Sequence, residues 1–219
     1  MDPALAERVV GSDEHRELAL KAAHKTITLL QNRDQLAPVS VSKIKTIAVI
    51  GPNADKELLG GYSDKPKQFI TVLQGIKERA GDKVNVLYAE GCKITEPGSW
   101  YEDPVSLSDP NEDRRKIKEA VRVAQKADLV VLAIGGNELT SREGWGETHL
   151  GDRTDLQMVG QQNELIDELA KTGKPIVAFM FNGRPLVINN LVEKVPTVFE
   201  CWYLGQETGY AVAEVLFGE

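Results

Sequence analysis

The sequence predicts an α/β protein in which helices cover both faces of a mostly parallel sheet of about six strands, a three-layer α/β/α sandwich. Two observations support this fold class. Short apolar runs alternate along the chain with longer segments whose apolar residues recur at helical spacing. The runs are apolar at successive positions, which is typical of strands that are buried on both faces of a sheet.

The first predicted helix runs from Asp13 to Asn32, where Leu18, Ala22 and Ile27 follow helical spacing and Ser12 or Asp13 can act as the cap. The further helices are predicted at Phe69–Ala80, about Glu112–Lys126, Gly160–Lys171, about Leu186–Val192 and Gln206–Phe217.

The first predicted strand, Lys45–Ile50, is a short apolar run that ends at the turn residues Gly51, Pro52 and Asn53. The other strands are predicted at Val84–Ala89, Leu129–Ile134, Ile176–Phe181 and Thr197–Cys201. Two connections, Gly91–Pro110 and Gly135–Met158, are longer than usual and each follows the carboxyl end of a strand. Because ligands bind at that edge of open α/β sheets, we expect these loops to be functional.

Composition limits the partners of the chain. Its 219 residues are 42% hydrophobic and 27% charged, which suits one large core, and the net charge is -7 without a long charged run. Such a field repels nucleic acid and anionic membranes, so we expect neither as a partner, whereas a neutral sugar is compatible. No stretch reaches the roughly 20 apolar residues of a membrane helix, and the first residues lack the pattern of an export signal.

Common cofactor and metal motifs are missing from the sequence. The turns that follow the strands ending at Ile50 and Ile134 do not continue as GxGxxG or as a P-loop, so no nucleotide cofactor is expected. The three histidines show no HExxH spacing, and Cys92 and Cys201 match no zinc spacing, so we expect no metal and two unlinked thiols.

The segment 137–153 concentrates chemically capable side chains in one glycine-containing loop. It holds Glu138, Glu143, Glu147, Asp152, Arg142, Arg153, Trp145 and His149. Hydrolysis of a glycosidic bond needs a carboxylic acid that protonates the leaving oxygen and a second carboxylate near the anomeric carbon. The loop offers such groups, although composition alone also fits a solvated polar loop.

The run Ser141–Trp145, followed by Gly151-Asp152-Arg153 and then Gln161-Gln162, resembles the acid/base loop of glycoside hydrolase family 3. Other segments resemble the same family over nearly the whole chain: the helix that starts near His15, the strand and turn Ile47–Ala54, Gly60–Ser63, and Lys174–Pro185. The resemblance implies the α/β sandwich domain of this family over residues 13–219, with residues 1–12 as a linker from an N-terminal (β/α)8 barrel.

The resemblance also implies a reaction. Family members are retaining enzymes, so an aspartate from the barrel would attack the anomeric carbon while a glutamate donates and then removes a proton. Glu143 matches the acid/base position, Glu147 is its close competitor and Glu138 ranks third. Trp145, Arg142, His149 and Tyr62 would contact sugar. Tyr62 and Trp100, both on other loops, are candidates for an outer subsite, and Asp152 with Arg153 would fix the loop.

These matches imply a domain of an exo-acting β-glycosidase, such as a β-glucosidase, that acts on β-linked oligosaccharides and is inactive without the barrel. The alternative is a non-catalytic carbohydrate-binding or scaffold domain. A glucoside and a xyloside cannot be separated as substrates on this basis. Periplasmic or secreted location follows from the family's polysaccharide substrates, and the chain itself carries no signal for it.

Overall fold

Across the residues described by the computed structural model, 3–102, 104–143 and 153–219, one sheet of six strands organises the fold. In chain order the strands are β1 (Thr28–Asn32), β2 (Thr46–Ile50), β3 (Asn85–Ala89), β4 (Leu129–Gly135), β5 (Ile176–Phe181) and β6 (Thr197–Glu200). Their order across the sheet is β1-β6-β5-β4-β2-β3. Neighbouring strands are parallel except β1, which pairs antiparallel with β6.

Helices cover both faces of this sheet. In chain order they are α1 (Pro3–Val9), α2 (Asp13–Thr26), α3 (Val72–Ala80), α4 (Pro110–Gln125), α5 (Glu138–Ser141), α6 (Gln162–Ala170), α7 (Asn189–Lys194) and α8 (Thr208–Phe217). Helices α2, α3 and α8 pack over one face, and α4, α6 and α7 pack over the other. The predicted three-layer α/β/α sandwich with a mostly parallel sheet is therefore confirmed.

Strand β4 shows why the central strands are apolar at every position. All seven of its residues are buried, and successive side chains point to opposite faces of the sheet. Val131 and Ala133 join the core under α3 and α8, whereas Val130 and Leu132 join the core under α4 and α6. Each face of the strand therefore needs apolar side chains.

The first predicted helix is wrong in its last six residues, 27–32. Helix α2 ends at Thr26, and Thr28–Asn32 form the edge strand β1, which pairs through Leu29 with Phe199 and through Asn32 with Thr197. The open edge of β6 offers backbone hydrogen bonds that a continued helix could not use, and β-branched Thr26, Ile27 and Thr28 favour extended backbone. Tertiary pairing thus overrides the local helical spacing.

The remaining predicted elements match the structure within a few residues. The start of α3 shows how a cap sets a boundary three residues later than predicted. The Thr71 hydroxyl accepts a hydrogen bond from the Gln74 amide at 3.2 Å, and the Gln74 side chain accepts one from the Thr71 amide at 2.9 Å. This capping box satisfies two backbone donors at the first turn. The short helix near residue 186 lies at Asn189–Lys194 instead.

The chain before α2 forms a short helix outside the core. None of the residues of α1 is buried. The Lys67 ammonium donates hydrogen bonds to the carbonyls of Glu7 and Val10 at 3.0 and 3.1 Å, which holds the end of α1 against the domain. Cys92 and Cys201 are buried free thiols. Among the described helices, none is both long enough and apolar enough to cross a membrane.

A partly buried ion pair connects α2 to the turn that precedes α8. The Arg16 guanidinium donates to the two Glu207 carboxylate oxygens at 2.8 and 3.4 Å. The Glu207 side chain is only 3% exposed, whereas that of Arg16 is 27% exposed. Hydrogen bonding to Glu207 raises the pKa of Arg16. The carboxylate is thus the member of the pair that depends on its partner.

We expect Arg16→Met to lower the free energy of unfolding by roughly 2 kcal/mol, because it strands a buried carboxylate. Urea denaturation of the single variant measures this loss. Adding Glu207→Gln should recover part of it by removing the unpaired charge. Lys171→Met is the matched control, since its ion pair with Glu168 is exposed and its loss should change stability far less than Arg16→Met does. Equal losses at Arg16 and Lys171 would contradict this account.

Candidate active site

The carboxyl ends of the parallel strands bring five loops to one edge of the sheet. They follow β2, β3, β4, β5 and β6 and span residues 51–71, 90–109, 136–161, 182–188 and 201–207. Strand β3 lies on one side of β2 and β4 lies on the other, so the winding direction reverses between β2 and β4. Loops separate at such a reversal and leave a crevice where ligands bind in open α/β sheets.

A short capped helix carries the chain from β4 toward Glu143. The Asn137 carboxamide accepts a hydrogen bond from the Thr140 amide, and the Thr140 hydroxyl accepts one from the Asn137 amide, both at 3.0 Å. Helix α5 ends at Ser141, two residues before Glu143. The Glu143 side chain is exposed. Residues 138–142, here called the stem, therefore lead from a capped helix to a Glu143 side chain that is exposed to solvent.

Arg142 holds this stem from inside. Its side chain is 2% exposed, and Nη1 donates to the carbonyls of Ser99 and Trp100 at 3.3 and 3.0 Å. Its own carbonyl accepts a hydrogen bond from Arg184 Nη2 at 2.8 Å. This geometry connects the loop after β3 to the stem of Glu143, and the contact of Arg142 with sugar stays a prediction.

An aromatic pair joins Tyr62, on the loop after β2, to Trp100, on the loop after β3 that Arg142 holds. The rings of Tyr62 and Trp100 meet edge to face with centroids 5.4 Å apart. Trp100 lies directly over Gly61, where a Cβ atom would approach the indole to 1.9 Å, so a larger residue at position 61 would displace the ring. The Tyr62 side chain is 92% exposed. The pair therefore presents an aromatic surface to solvent at this edge, and the contact of Tyr62 with sugar stays a prediction.

Glu138 lines two clefts at the same edge. One cleft of about 320 Å³ lies at the crevice between the loops after β2, β3 and β4, with Asn53, Lys93 and Thr95 among its walls. The other, also about 320 Å³, is lined by Gly61 and further residues of the loop after β2, together with Trp100 of the loop after β3. The Asn137 carboxamide donates to the Thr95 hydroxyl at 2.8 Å and so ties the first cleft together.

Asp113 supports the loop that carries Trp100, and the sequence did not reveal this role. Its side chain is buried in the first turn of α4, where it accepts hydrogen bonds from the Lys93 amide at 3.0 Å and from the Ser108 hydroxyl. These contacts hold both ends of the loop that carries Trp100. Asp113 occurs within a charged helical stretch, so only the tertiary contacts distinguish it from a solvated residue.

Glu200 is a second carboxylate at this edge that sequence reasoning did not select. It ends β6, and its carboxylate accepts a hydrogen bond from the Trp202 amide at 2.9 Å. Burial raises the pKa of Glu200, and the bonds from Trp202 and Asn182 oppose this rise. Trp202 has a φ of 57°, a left-handed conformation that is uncommon for a bulky residue.

Four predicted site residues, Trp145, Glu147, His149 and Asp152, lie outside the described residues. Arg153 is described: its Nη2 donates to the Gln157 carbonyl at 2.5 Å. In the described part of the chain, His, Cys, Asp and Glu side chains form no group of three that could hold a metal ion.

These features define the class of the protein: a three-layer α/β domain with a crevice, lined in part by Glu138, at the carboxyl edge of a mostly parallel sheet. The model of the glycosyl hydrolase family 3 C-terminal domain matches residues 27–219. The chain therefore belongs to glycosyl hydrolase family 3, as its sequence motifs indicated.

Relatives and solved structures agree with this assignment. A β-xylosidase of Formosa agariphila is 43% identical over 217 residues, which cover 95% of this chain and 27% of that protein. A periplasmic β-glucosidase of Salmonella typhimurium is 36% identical over 215 residues, covering 94% and 27%. The structure of a β-glucosidase from Erythrobacter marinus superposes with a TM-score of 0.93 at 40% identity, covering 99% of this chain and 30% of that one. The chain thus spans between a quarter and a third of these relatives.

We expect Arg142→Met to lower the free energy of unfolding by about 2 kcal/mol, because two partly buried carbonyls lose a charged donor. It should also make the loop at residues 90–109 more sensitive to protease. Urea denaturation and mass spectrometry of limited digests measure the two effects. Arg114→Met is the control, since its pair with Glu164 is exposed. Unchanged cleavage of this loop in Arg142→Met would refute the role of Arg142 in tying the loops.

Proposed function

We propose that this domain supplies the acid/base carboxylate, Glu143, of a retaining exo-acting β-glycosidase. In this proposal the nucleophilic aspartate comes from an N-terminal (β/α)8 barrel of the same enzyme, joined through residues 1–12. The observation that carries the proposal is the placement of an exposed Glu143 beside a buried Arg142 that fixes its stem. Membership of glycosyl hydrolase family 3 supports it.

The geometry suits proton transfer to a leaving group. A general acid must reach the glycosidic oxygen, and its backbone must not move when the sugar binds. Helix α5 and Arg142 hold the stem, while the exposed Glu143 carboxyl can approach a bound sugar. In the first step Glu143 would give its proton to the departing oxygen. In the second step its carboxylate would take a proton from the attacking water.

The coverage of relatives supports a site shared between domains. Matched proteins named β-xylosidase and β-glucosidase contain about three quarters of their length outside the matched region. A retaining enzyme needs two carboxyl groups roughly 5 Å apart, one on each side of the anomeric carbon. We assign one of them to Glu143 and the other to the region outside this chain.

The aromatic pair extends this proposal to the sugar beyond the cleaved bond. Tyr62 offers an exposed ring face next to Trp100, and sugar rings stack on such surfaces. Trp145 and His149 remain proposed sugar contacts, and Glu147 remains the competing acid/base residue. Glu138, between two clefts, ranks third. Asp152 and Arg153 are proposed to fix the loop.

The full-length enzyme with Glu143→Ala should lose at least about 100-fold in kcat/KM on substrates with poor leaving groups, since general acid catalysis contributes on the order of 10² to 10⁴. Added azide should partly restore turnover on activated substrates, because a small anion can attack the glycosyl-enzyme without base assistance. Assays with aryl β-glucosides and β-xylosides, with and without azide, measure both effects.

Glu193→Ala is the matched control, because Glu193 is an exposed glutamate on α7 and that helix leads to the opposite edge of the sheet. Its activity should stay near that of the parent. An azide-rescued loss in Glu147→Ala but not in Glu143→Ala would transfer the role to Glu147. Little loss in either variant would instead favour a non-catalytic carbohydrate-binding or scaffold domain.

The 219-residue chain alone, once circular dichroism shows that it is folded, should release no nitrophenol from aryl β-glucosides or β-xylosides, because the proposed nucleophile is missing. Turnover by the isolated chain that disappears in Glu143→Ala would show that both carboxylates lie in this chain. That result would overturn the division of the site between two domains.

A further inference from the structure

The hydroxyl of Ser141 joins three of the loops at the carboxyl edge. It lies at the end of α5, 2.9 Å from the Asn137 carbonyl and 3.0 Å from the Tyr203 hydroxyl. It also accepts a hydrogen bond from the Gly183 amide at 3.3 Å. The loops after β4, β5 and β6 therefore meet at one oxygen atom, two residues from Glu143.

The direction of each hydrogen bond follows from the available protons. The Asn137 carbonyl can only accept, so the single Ser141 proton points toward it. The Ser141 oxygen must then accept from Tyr203, and the phenol is the donor. Burial raises the pKa of Tyr203 to about 12, so the phenol keeps this proton at neutral pH. Ser141 thus donates one hydrogen bond and accepts two, which uses its full capacity.

The Tyr203 side chain, which donates to Ser141, is anchored by its packing. Its side chain is partly buried and packs against the core on the face of α3 and α8. The backbone of the neighbouring loop also lies close, because a Cβ atom at Gly183 would come within 2.8 Å of the Ser141 side chain and 2.9 Å of the Tyr203 ring. The glycine at position 183 therefore leaves the space in which Ser141 and Tyr203 meet, and a side chain there would displace one of them.

We propose that Tyr203 is a positioning residue for the acid/base step: through the Ser141 hydroxyl, its phenol holds the stem that places Glu143. The inference rests on the proposed function of Glu143. It extends that function to the loop after β6, which contributes no proposed contact to substrate. Arg142, the next residue of the stem, is anchored on the loop after β3. The stem is therefore fixed from two directions.

The test exploits the dependence of acid catalysis on the leaving group. A phenyl β-glycoside needs protonation of its leaving oxygen, whereas a 2,4-dinitrophenyl β-glycoside departs with little help. The measured quantity is the ratio of kcat/KM for the dinitrophenyl substrate to kcat/KM for the phenyl substrate, in the full-length enzyme that carries this domain. A variant that only lowers the folded fraction reduces both values equally and leaves the ratio unchanged.

Tyr203→Phe should raise this ratio about fivefold, since a misplaced acid loses part of its contribution. Ser141→Ala should raise it at least as much, and the double variant should equal Ser141→Ala, because both changes act through one oxygen. Ser141→Thr, which keeps a hydroxyl, should restore a ratio near the parent value. Tyr210→Phe is the matched control, because it also removes a hydrogen-bonded phenol, here bound to Glu78 on α3, away from the carboxyl edge.

The outcomes distinguish a failure of the positioning role of Tyr203 from a failure of the proposed role of Glu143. If Glu143→Ala raises the ratio about 100-fold while Tyr203→Phe and Ser141→Ala leave it unchanged, the function stands and the positioning role is refuted. A similar rise in Tyr203→Phe and Tyr210→Phe would also refute it, because the effect would not be local. An unchanged ratio in Glu143→Ala would remove the proposed function and the inference with it.

Discussion

Parallel pairing at the centre of the sheet is the constraint on which the rest of this structure depends. Strands β2, β4 and β5 run in one direction, and β4 and β5 are buried at every position. A parallel strand needs a crossover to return to its starting edge, so each connecting helix lies on a face and each loop at the carboxyl end meets its neighbours. The convergence of distant segments such as 60–62, 99–100 and 141–143 follows from this topology.

Converging loops create irregular backbone whose polar groups must be satisfied where they are buried. Buried side chains provide the partners here. The Gln162 carboxamide bonds to both the amide and the carbonyl of Gly135 at 2.8 Å, and Asn53 donates to the Gly136 carbonyl at 3.0 Å. Arg142 and Asp113 do the same for the loop after β3. In this domain the buried polar side chains thus support the edge, whereas the exposed ones, Glu143 and Tyr62 among them, remain available for a ligand.

This contrast between buried and exposed polar side chains explains which site predictions depended on the tertiary structure. The loop at residues 137–153 was selected from its dense content of acids, bases and an aromatic residue, together with a family resemblance. Arg142 and Glu143 are adjacent in that loop and equally polar, yet one is buried on backbone carbonyls and the other is exposed. No local pattern separates them. Asp113 and Tyr203 had no signal of their own, because their partners lie on other segments. Ser141 belonged to the family motif, but its contacts with Gly183 and Tyr203 did not follow from that motif.

The sequence by itself determined the layered α/β fold, the positions of five strands and the membership in glycosyl hydrolase family 3, because apolar runs and ordered motifs are local properties of the chain. Only the tertiary structure decided that residues 28–32 leave the first helix to become an edge strand, since the free edge of β6 supplies their hydrogen bonds. It also decided which polar residues of the carboxyl edge face inward. Both outcomes depend on contacts between segments that are more than a hundred residues apart or on different loops, and such contacts exist only once the sheet has formed.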